Sequence, residues 1–100
     1  MTIRHIVAWK LNGEDGAARA DQAAEITRRL EALVGVVPSL RTLSIGPNVA
    51  YPDQNGDVAL VADFDDLAGL EAYQVHPAHQ EVVGYVRSVA ASRISVDFEV

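Results

Sequence analysis

Residues 2 to 11 alternate between two sets of side chains, and this alternation constrains the fold more than any other feature of the chain. One set is Ile3, His5, Val7, Trp9 and Leu11, and the other is Thr2, Arg4, Ile6, Ala8 and Lys10. A period of two residues is typical of a β-strand. Because both sets contain apolar side chains, we expect a strand at the centre of a sheet rather than at its edge.

A helix is predicted over residues 17 to 35, where good helix formers dominate. Gly35 and Pro38 are typical of the end of a helix. A second strand, Leu40 to Ile45, and a turn-rich loop at residues 48 to 57 are expected next. The predicted buried stripe of the helix recurs at three- and four-residue steps and consists of Ala20, Ala23, Thr27, Leu30 and Val34.

The second half of the chain is predicted to contain a strand, a broken helix and a final strand. Asp65 or Asp66 is expected to cap the helix. Pro77 disfavours a helical conformation at His76, so the helix should break there, with His76 as the N-cap of the second piece. The predicted elements are a strand over Val58 to Phe64, helices over Leu67 to Val75 and 77 to 89, and a strand over 93 to 100.

The order β-α-β-β-α-β predicts an α+β, ferredoxin-like domain over residues 1–100, with a four-stranded antiparallel sheet. Two helices can cover only one face of a four-stranded sheet. The other face is expected to carry Ile6, Ala8, Leu43, Ile45 and part of the third strand. An exposed apolar face is typical of an interface, so we predict a homodimer in which two sheets pack face to face.

Charge and composition exclude several classes of function. The formal net charge is −6, with one Lys and seven scattered Arg, so neither a nucleic acid nor a membrane is an expected partner. No apolar run approaches the roughly 18 residues of a membrane span. The N-terminus alternates where a secretory signal is continuously apolar, which predicts a cytoplasmic protein. The absence of Cys excludes disulfides and thiolate chemistry.

The stretch YQVHPAHQ, residues 73 to 80, is the candidate for chemistry. If a helix begins at Pro77, His79 lies on its sheet-facing side, and Tyr73 faces inward from the preceding helix. His5 enters the same space if its strand face looks toward the helices, whereas His76 is expected to face outward. An imidazole accepts a proton near neutral pH, and a phenol can donate a hydrogen bond to a developing enolate.

Other roles for these residues stay open. An inward His can simply be a hydrogen-bonded core residue, and Trp9 can be a core aromatic. His76 and His79 flank the proline break, so their side chains are expected to diverge rather than to share a metal with His5. The Asp-rich segment lacks the spacing of a known calcium loop, so no metal is predicted. The chain has no phosphate-binding glycine loop and no Ser-based nucleophile motif.

Five segments, in order over essentially the whole chain, resemble the stress-responsive A/B-barrel (Dabb) family. They are IRHIVAWK, PSL, IGPN, DFDDLAGLEAYQVHPAHQEVV and VDFEV. This resemblance implies a ferredoxin-like unit that pairs into a dimeric α/β barrel, which agrees with the architecture expected from periodicity.

The resemblance also implies a chemistry. One plant branch of the family consists of polyketide cyclases that perform an intramolecular aldol condensation without metal or cofactor. By this resemblance His79 is the general base, Tyr73 orients the carbonyl, and His5 lines the pocket. Val7 and Trp9, on the same strand face as His5, are further candidates for substrate binding. The sharpest hypothesis is therefore a cofactor-independent enzyme or binder of a small β-keto compound.

The first helix carries Ala23 and Ala24 where the cyclases have bulky aromatics, which predicts a pocket of different shape. The alternative hypothesis is a non-catalytic stress-response protein that acts as a dimeric barrel, and it predicts a filled core.

Overall fold

The computed structural model describes all 100 residues, which form one four-stranded antiparallel sheet with helices on one face. The strand order is β2-β3-β1-β4, and every neighbouring pair is antiparallel. The predicted ferredoxin-like α+β fold is therefore confirmed. The elements are β1 (Ile3–Leu11), α1 (Gly16–Glu31), β2 (Thr42–Pro47), β3 (Val58–Phe64), α2 (Leu67–Val75), α3 (Pro77–Val89) and β4 (Ala90–Glu99).

Strand β1 lies at the centre of the sheet, between β3 and β4, as its alternation predicted. Its odd-numbered residues are buried under the helices, and its even-numbered residues are half-buried on the opposite face. His5 therefore faces the helices. It lies opposite Ala62 of β3 and Asp97 of β4, so all three side chains share the helix-covered face.

Helix α1 is shorter than predicted, and its buried stripe agrees with the predicted one only at Ala23 and Leu30. It ends at Glu31, and a turn-rich segment that includes Gly35, with φ +84°, leads to β2. The predicted positions Ala20 and Val34 are exposed. The reason is that Ile26 and Leu30 of the helix, with Leu33 in the turn after it, bury larger apolar side chains and so give more stabilisation per residue. The buried residues are Ala23, Ile26, Leu30, Leu33 and Val37.

The corner between α2 and α3 is built as predicted. Asp66 begins α2, and its carboxylate accepts a hydrogen bond from the Gly69 N–H at 2.8 Å. His76 has an extended conformation, and its Nδ1 accepts a hydrogen bond from the Ala78 N–H at 3.1 Å. Pro77 is the first residue of α3, where its missing N–H leaves no intrahelical bond unmade.

The prediction that Leu43 and Ile45 lie on the uncovered face of the sheet was wrong. They lie opposite Ala62 and Leu60, which are buried under the helices, and they pack against the core. Alternation alone gives the period of a strand but not which of its faces meets the helices. The pairing with β3 decides this.

We call the uncovered side the open face. Ile6 and Ala8 lie there, as predicted, and β4 rather than β2 supplies most of the rest. At one end of this face Arg4 and Asp63 form a two-pronged ion pair with distances of 2.9 and 3.0 Å. No helix of the chain has both the length and the apolar character that a bilayer crossing requires. The apolar residues of the open face are Ile6, Ala8, Ala59, Val61, Ile94, Val96 and Phe98.

Candidate active site

A cavity of about 480 Å³ opens between the sheet and the helices beside the α2–α3 corner. This volume lies in the range of small-molecule sites. All five residues that the sequence singled out for the site line it, although α1 contributes only Leu30. The predicted site residues are Tyr73, His79, His5, Val7 and Trp9.

The structure brings the three aromatic polar side chains of the site together. The rings of Tyr73 and His79 have centroids 4.0 Å apart and are tilted by 40°. The His5 ring lies edge-on to Tyr73 with a centroid distance of 6.3 Å. Phe64 of β3 supports Tyr73 from another side at 5.0 Å. His76 stays outside this cluster because it caps α3.

The Tyr73 hydroxyl is sealed from solvent and has no hydrogen-bond partner within the chain. Such a group is unusual, since an unpaired buried hydroxyl costs about 1–3 kcal/mol. Burial raises the pKa of Tyr73 to about 12. The hydroxyl is therefore protonated at every physiological pH and can donate a hydrogen bond.

His79 is buried on the first turns of α3, in line with Val82 and Val86. Its Nδ1 lies 3.3 Å from the backbone carbonyl oxygen of Gln74. Because a carbonyl only accepts, Nδ1 carries the proton and Nε2 keeps its lone pair. Burial is the main cause that lowers the pKa of His79, and the positive charge of Arg93 acts in the same direction. The imidazole is thus a neutral base at pH 7.

His5 is held by a residue that the sequence reasoning missed. Asp97 lies directly opposite it on β4, and its Oδ1 is 2.5 Å from His5 Nδ1. A carboxylate at this position keeps the proton on Nδ1 and turns Nε2 away from β4. The signal was present in the alternation of Arg93, Ser95 and Asp97, but only the pairing of β4 with β1 places those residues on the helix-covered face.

The mouth of the cavity is polar, and its polar residues were not predicted from the sequence. Gln74 and Gln80 lie near the corner, Arg87 lies in the last turn of α3, and Arg93 lies near the start of β4. Both Arg side chains belong to exposed residues. No sequence motif marks them, since they come from separate elements that meet only in the folded chain.

The arrangement joins a neutral base, a protonated phenol and an apolar cavity wall. These are the elements needed to remove a proton next to a carbonyl and to stabilise the resulting enolate. No group of three or more His, Asp or Glu side chains lies close enough together to hold a metal ion.

The chain is similar to known proteins over nearly its whole length. The sequence model of the stress responsive A/B barrel domain matches residues 3–100. An uncharacterized protein from Streptomyces coelicolor is 34% identical over 98 residues, which cover 97% of this chain and 98% of the relative.

Solved structures show the same fold. A dimeric ferredoxin-like protein of unknown function from Thermobifida fusca is 31% identical, with a TM-score of 0.85 over 100% of this chain and 92% of its own. A dimeric protein of unknown function from Bacteroides fragilis is 26% identical, with a TM-score of 0.88 over 99% and 96%. A hydroxynitrile lyase from Passiflora edulis, 14% identical with a TM-score of 0.81 over 99% and 93%, shares the fold alone.

Proposed function

Because this chain belongs to the stress responsive A/B barrel family, we propose that it is a cofactor-independent enzyme acting on a small β-keto compound by aldol or lyase chemistry. The observation that carries the proposal is the buried, unpartnered Tyr73 hydroxyl packed beside a neutral His79 on the wall of a cavity. The non-catalytic alternative predicts a filled core, and the cavity counts against it.

The first step is proton removal by His79. Nε2 takes a proton from the carbon between the two carbonyl groups, and the C–H electron pair moves onto a carbonyl oxygen to give an enolate. Tyr73 donates its hydrogen bond to that oxygen, where negative charge develops. Its raised pKa keeps the phenol protonated while it does so.

The second step forms the carbon–carbon bond. The enolate carbon attacks another carbonyl carbon of the same molecule, and the electron pair of that C=O bond moves to its oxygen. This oxygen receives the proton from the His79 imidazolium, which returns the base to its neutral form. The same steps in reverse break a carbon–carbon bond, which is lyase chemistry.

The unpaired Tyr73 hydroxyl supports a role in function rather than in stability. A hydroxyl that only packs is better replaced by hydrogen, because burying it without a partner costs free energy. A substrate carbonyl that reaches it recovers the missing hydrogen bond. Because neighbouring atoms cover the hydroxyl, a substrate carbonyl reaches it only when side chains beside the cavity move.

The remaining predicted residues are assigned to substrate binding. His5 is fixed by Asp97 and lies edge-on to Tyr73 on the cavity wall, and Val7 and Trp9 form the apolar part of that wall on the same strand. The fold is compatible with such chemistry, since a hydroxynitrile lyase uses it as well.

We also propose that the protein is a homodimer that pairs through the open face. Ile94, Val96 and Phe98 of β4 are 69%, 55% and 43% exposed in the single chain. Exposed apolar side chains that lie together on one sheet face are typical of an interface. The similar proteins from Thermobifida fusca and Bacteroides fragilis are described as dimeric.

Deuterium exchange tests the proposed enzymatic activity. A panel of β-diketones and β-keto esters is incubated in deuterated buffer, and exchange at the carbon between the carbonyls is followed by NMR. We expect the wild-type protein to accelerate exchange of at least one compound and the His79→Gln variant to lose this acceleration. Equal rates with wild type and variant across the panel would remove the support for an enzyme.

A further inference from the structure

Five of the seven Arg residues are paired with carboxylates. The other two, Arg87 and Arg93, lie at the mouth of the cavity. Arg93 donates only to the Ser95 hydroxyl, at 3.2 Å. Arg87 forms no salt bridge. The paired residues are Arg4 with Asp63, Arg19 with Asp57, Arg28 and Arg29 with Glu25, and Arg41 with Asp65.

This distribution is unexpected in an acidic chain. The sequence holds 14 Asp and Glu against 8 Lys and Arg, so acidic partners are abundant. Yet none of the 17 residues that line the cavity is acidic. Asp97, on the same face of β4 as Arg93, is engaged by His5 instead. The cavity is therefore a local region of positive charge on a negative protein.

We propose that the cavity binds an organic anion, a β-keto compound with a carboxylate, which Arg93 and Arg87 hold at the mouth. The identity of the reacting carbonyl rests on the function proposed above, whereas the preference for an anion rests on the two arginines. A guanidinium can engage both oxygens of a carboxylate, and this geometry fixes the orientation of the ligand.

The placement of the two arginines connects binding with chemistry. With the carboxylate at the mouth, the keto end of the molecule points inward to Tyr73 and His79. The positive charge of Arg93 also helps to keep His79 neutral. Since charge steering falls with ionic strength, binding of the anion is expected to weaken as salt is added.

The test uses the fluorescence of Trp9, the only tryptophan of the chain and part of the cavity wall. Binding of 3-oxohexanoate is compared with binding of its methyl ester, which has the same carbon chain and no charge. We expect the wild-type protein to prefer the carboxylate by roughly tenfold or more in Kd, as a hydrogen bond to a charged group provides.

The variants assign this preference to the two arginines. In the double variant Arg87→Gln and Arg93→Gln, the acid and the ester should bind equally, because no cation remains at the mouth. The matched control is Arg41→Gln, which removes an exposed guanidinium that pairs with Asp65 away from the cavity and should keep the preference. Thermal melting confirms that each variant is folded.

Three results would overturn the inference: equal binding of acid and ester by wild type, binding of neither, or a preference that survives in the double variant. Failure of the proposed function looks different. In that case the carboxylate still binds through the arginines, but His79 no longer influences deuterium exchange in the bound compound. Conversely, the ester could show His79-dependent exchange while the protein has no preference for the acid. This result would support the proposed function and contradict the inferred preference for an anion.

Discussion

Tyr73 and His79 pack ring against ring, with centroids 4.0 Å apart, although they belong to different helices. The contact depends on the break between them. His76 leaves the helical conformation and caps α3, and Pro77 starts the new helix in a changed direction. A continuous helix would separate residues six positions apart by more than one and a half turns and turn them to different sides. The proline corner thus creates the pair.

Replacing Tyr73 by Phe should increase stability and strongly reduce activity. Phe keeps the ring contacts and removes the hydroxyl that has no partner, so the free energy of unfolding is expected to rise by about 1 kcal/mol. Loss of the oxyanion donor should lower kcat by about 10²–10³-fold. Chemical denaturation and the deuterium-exchange assay measure the two effects.

Tyr85→Phe is the matched control for that change. Tyr85 is half-buried on α3 under the guanidinium of Arg29, and it does not line the cavity. We expect activity close to wild type in this variant. A Tyr73→Phe protein that is less stable and fully active would show that the hydroxyl serves the fold.

Replacing His79 by Gln should remove the general base, with a loss of about 10²–10⁴-fold in the rate of proton removal. The control is His76→Asn, since Asn also caps helices well and His76 lies outside the aromatic cluster. Exchange kinetics of both variants, beside wild type, give the comparison. If His76→Asn lost activity as severely as His79→Gln, the assignment of the base to His79 would fail.

Stability should decrease on acidification because of His79. Burial lowers the pKa of this residue below its ordinary value of 6.5, so the unfolded chain binds the proton at a higher pH than the folded one. The stabilising contribution is complete above pH 6.5 and is lost as the pH falls through the lowered pKa of the folded state. Between about pH 8 and pH 5, wild type should therefore lose more unfolding free energy than His79→Gln.

Urea titrations of the two proteins at each pH measure this difference. Titrating groups common to both proteins cancel when the His79→Gln values are subtracted. Wild type becoming more stable relative to the variant on acidification would mean that His79 gains rather than loses protons on folding.

The proposed dimer predicts that Val96→Asp yields a monomer. Val96 lies in the middle of the open face, and a carboxylate there would have to be buried without a partner when two sheets pack together. Val75→Asp is the control, because Val75 is 72% exposed at the end of α2, on the helical side. Sedimentation at micromolar concentration should show a dimer for wild type and for the control. A monomeric wild-type protein would exclude the interface.

The fold could be predicted from the sequence because each element carries a period and a stop signal. The alternation in β1 and the apolar character of β3 identified the central strands, and Pro77 identified the corner. The cluster of Tyr73, His79 and His5 followed from helical spacing and strand parity, and the structure brings these residues together.

What could not be predicted depended on pairing between strands. The faces of Leu43 and Ile45 are decided by their partners in β3, and Asp97 meets His5 only because β4 pairs with β1 in one register. The mouth arginines likewise come from two elements, α3 and β4. Local periodicity carries no information on such contacts, since they are set by the free energy of the assembled sheet.

The two faces of strand β4 have different roles. Arg93 and Asp97 lie on the cavity side, and the opposite face carries Ile94, Val96 and Phe98. A single residue inserted or deleted before Arg93 would shift the pairing by one and exchange the two sets. The cavity would then lose its cations and the His5 partner, and the outer face would gain charge, in one event. Length variation in this family should therefore be tolerated in the 48–57 loop and excluded from the last strand.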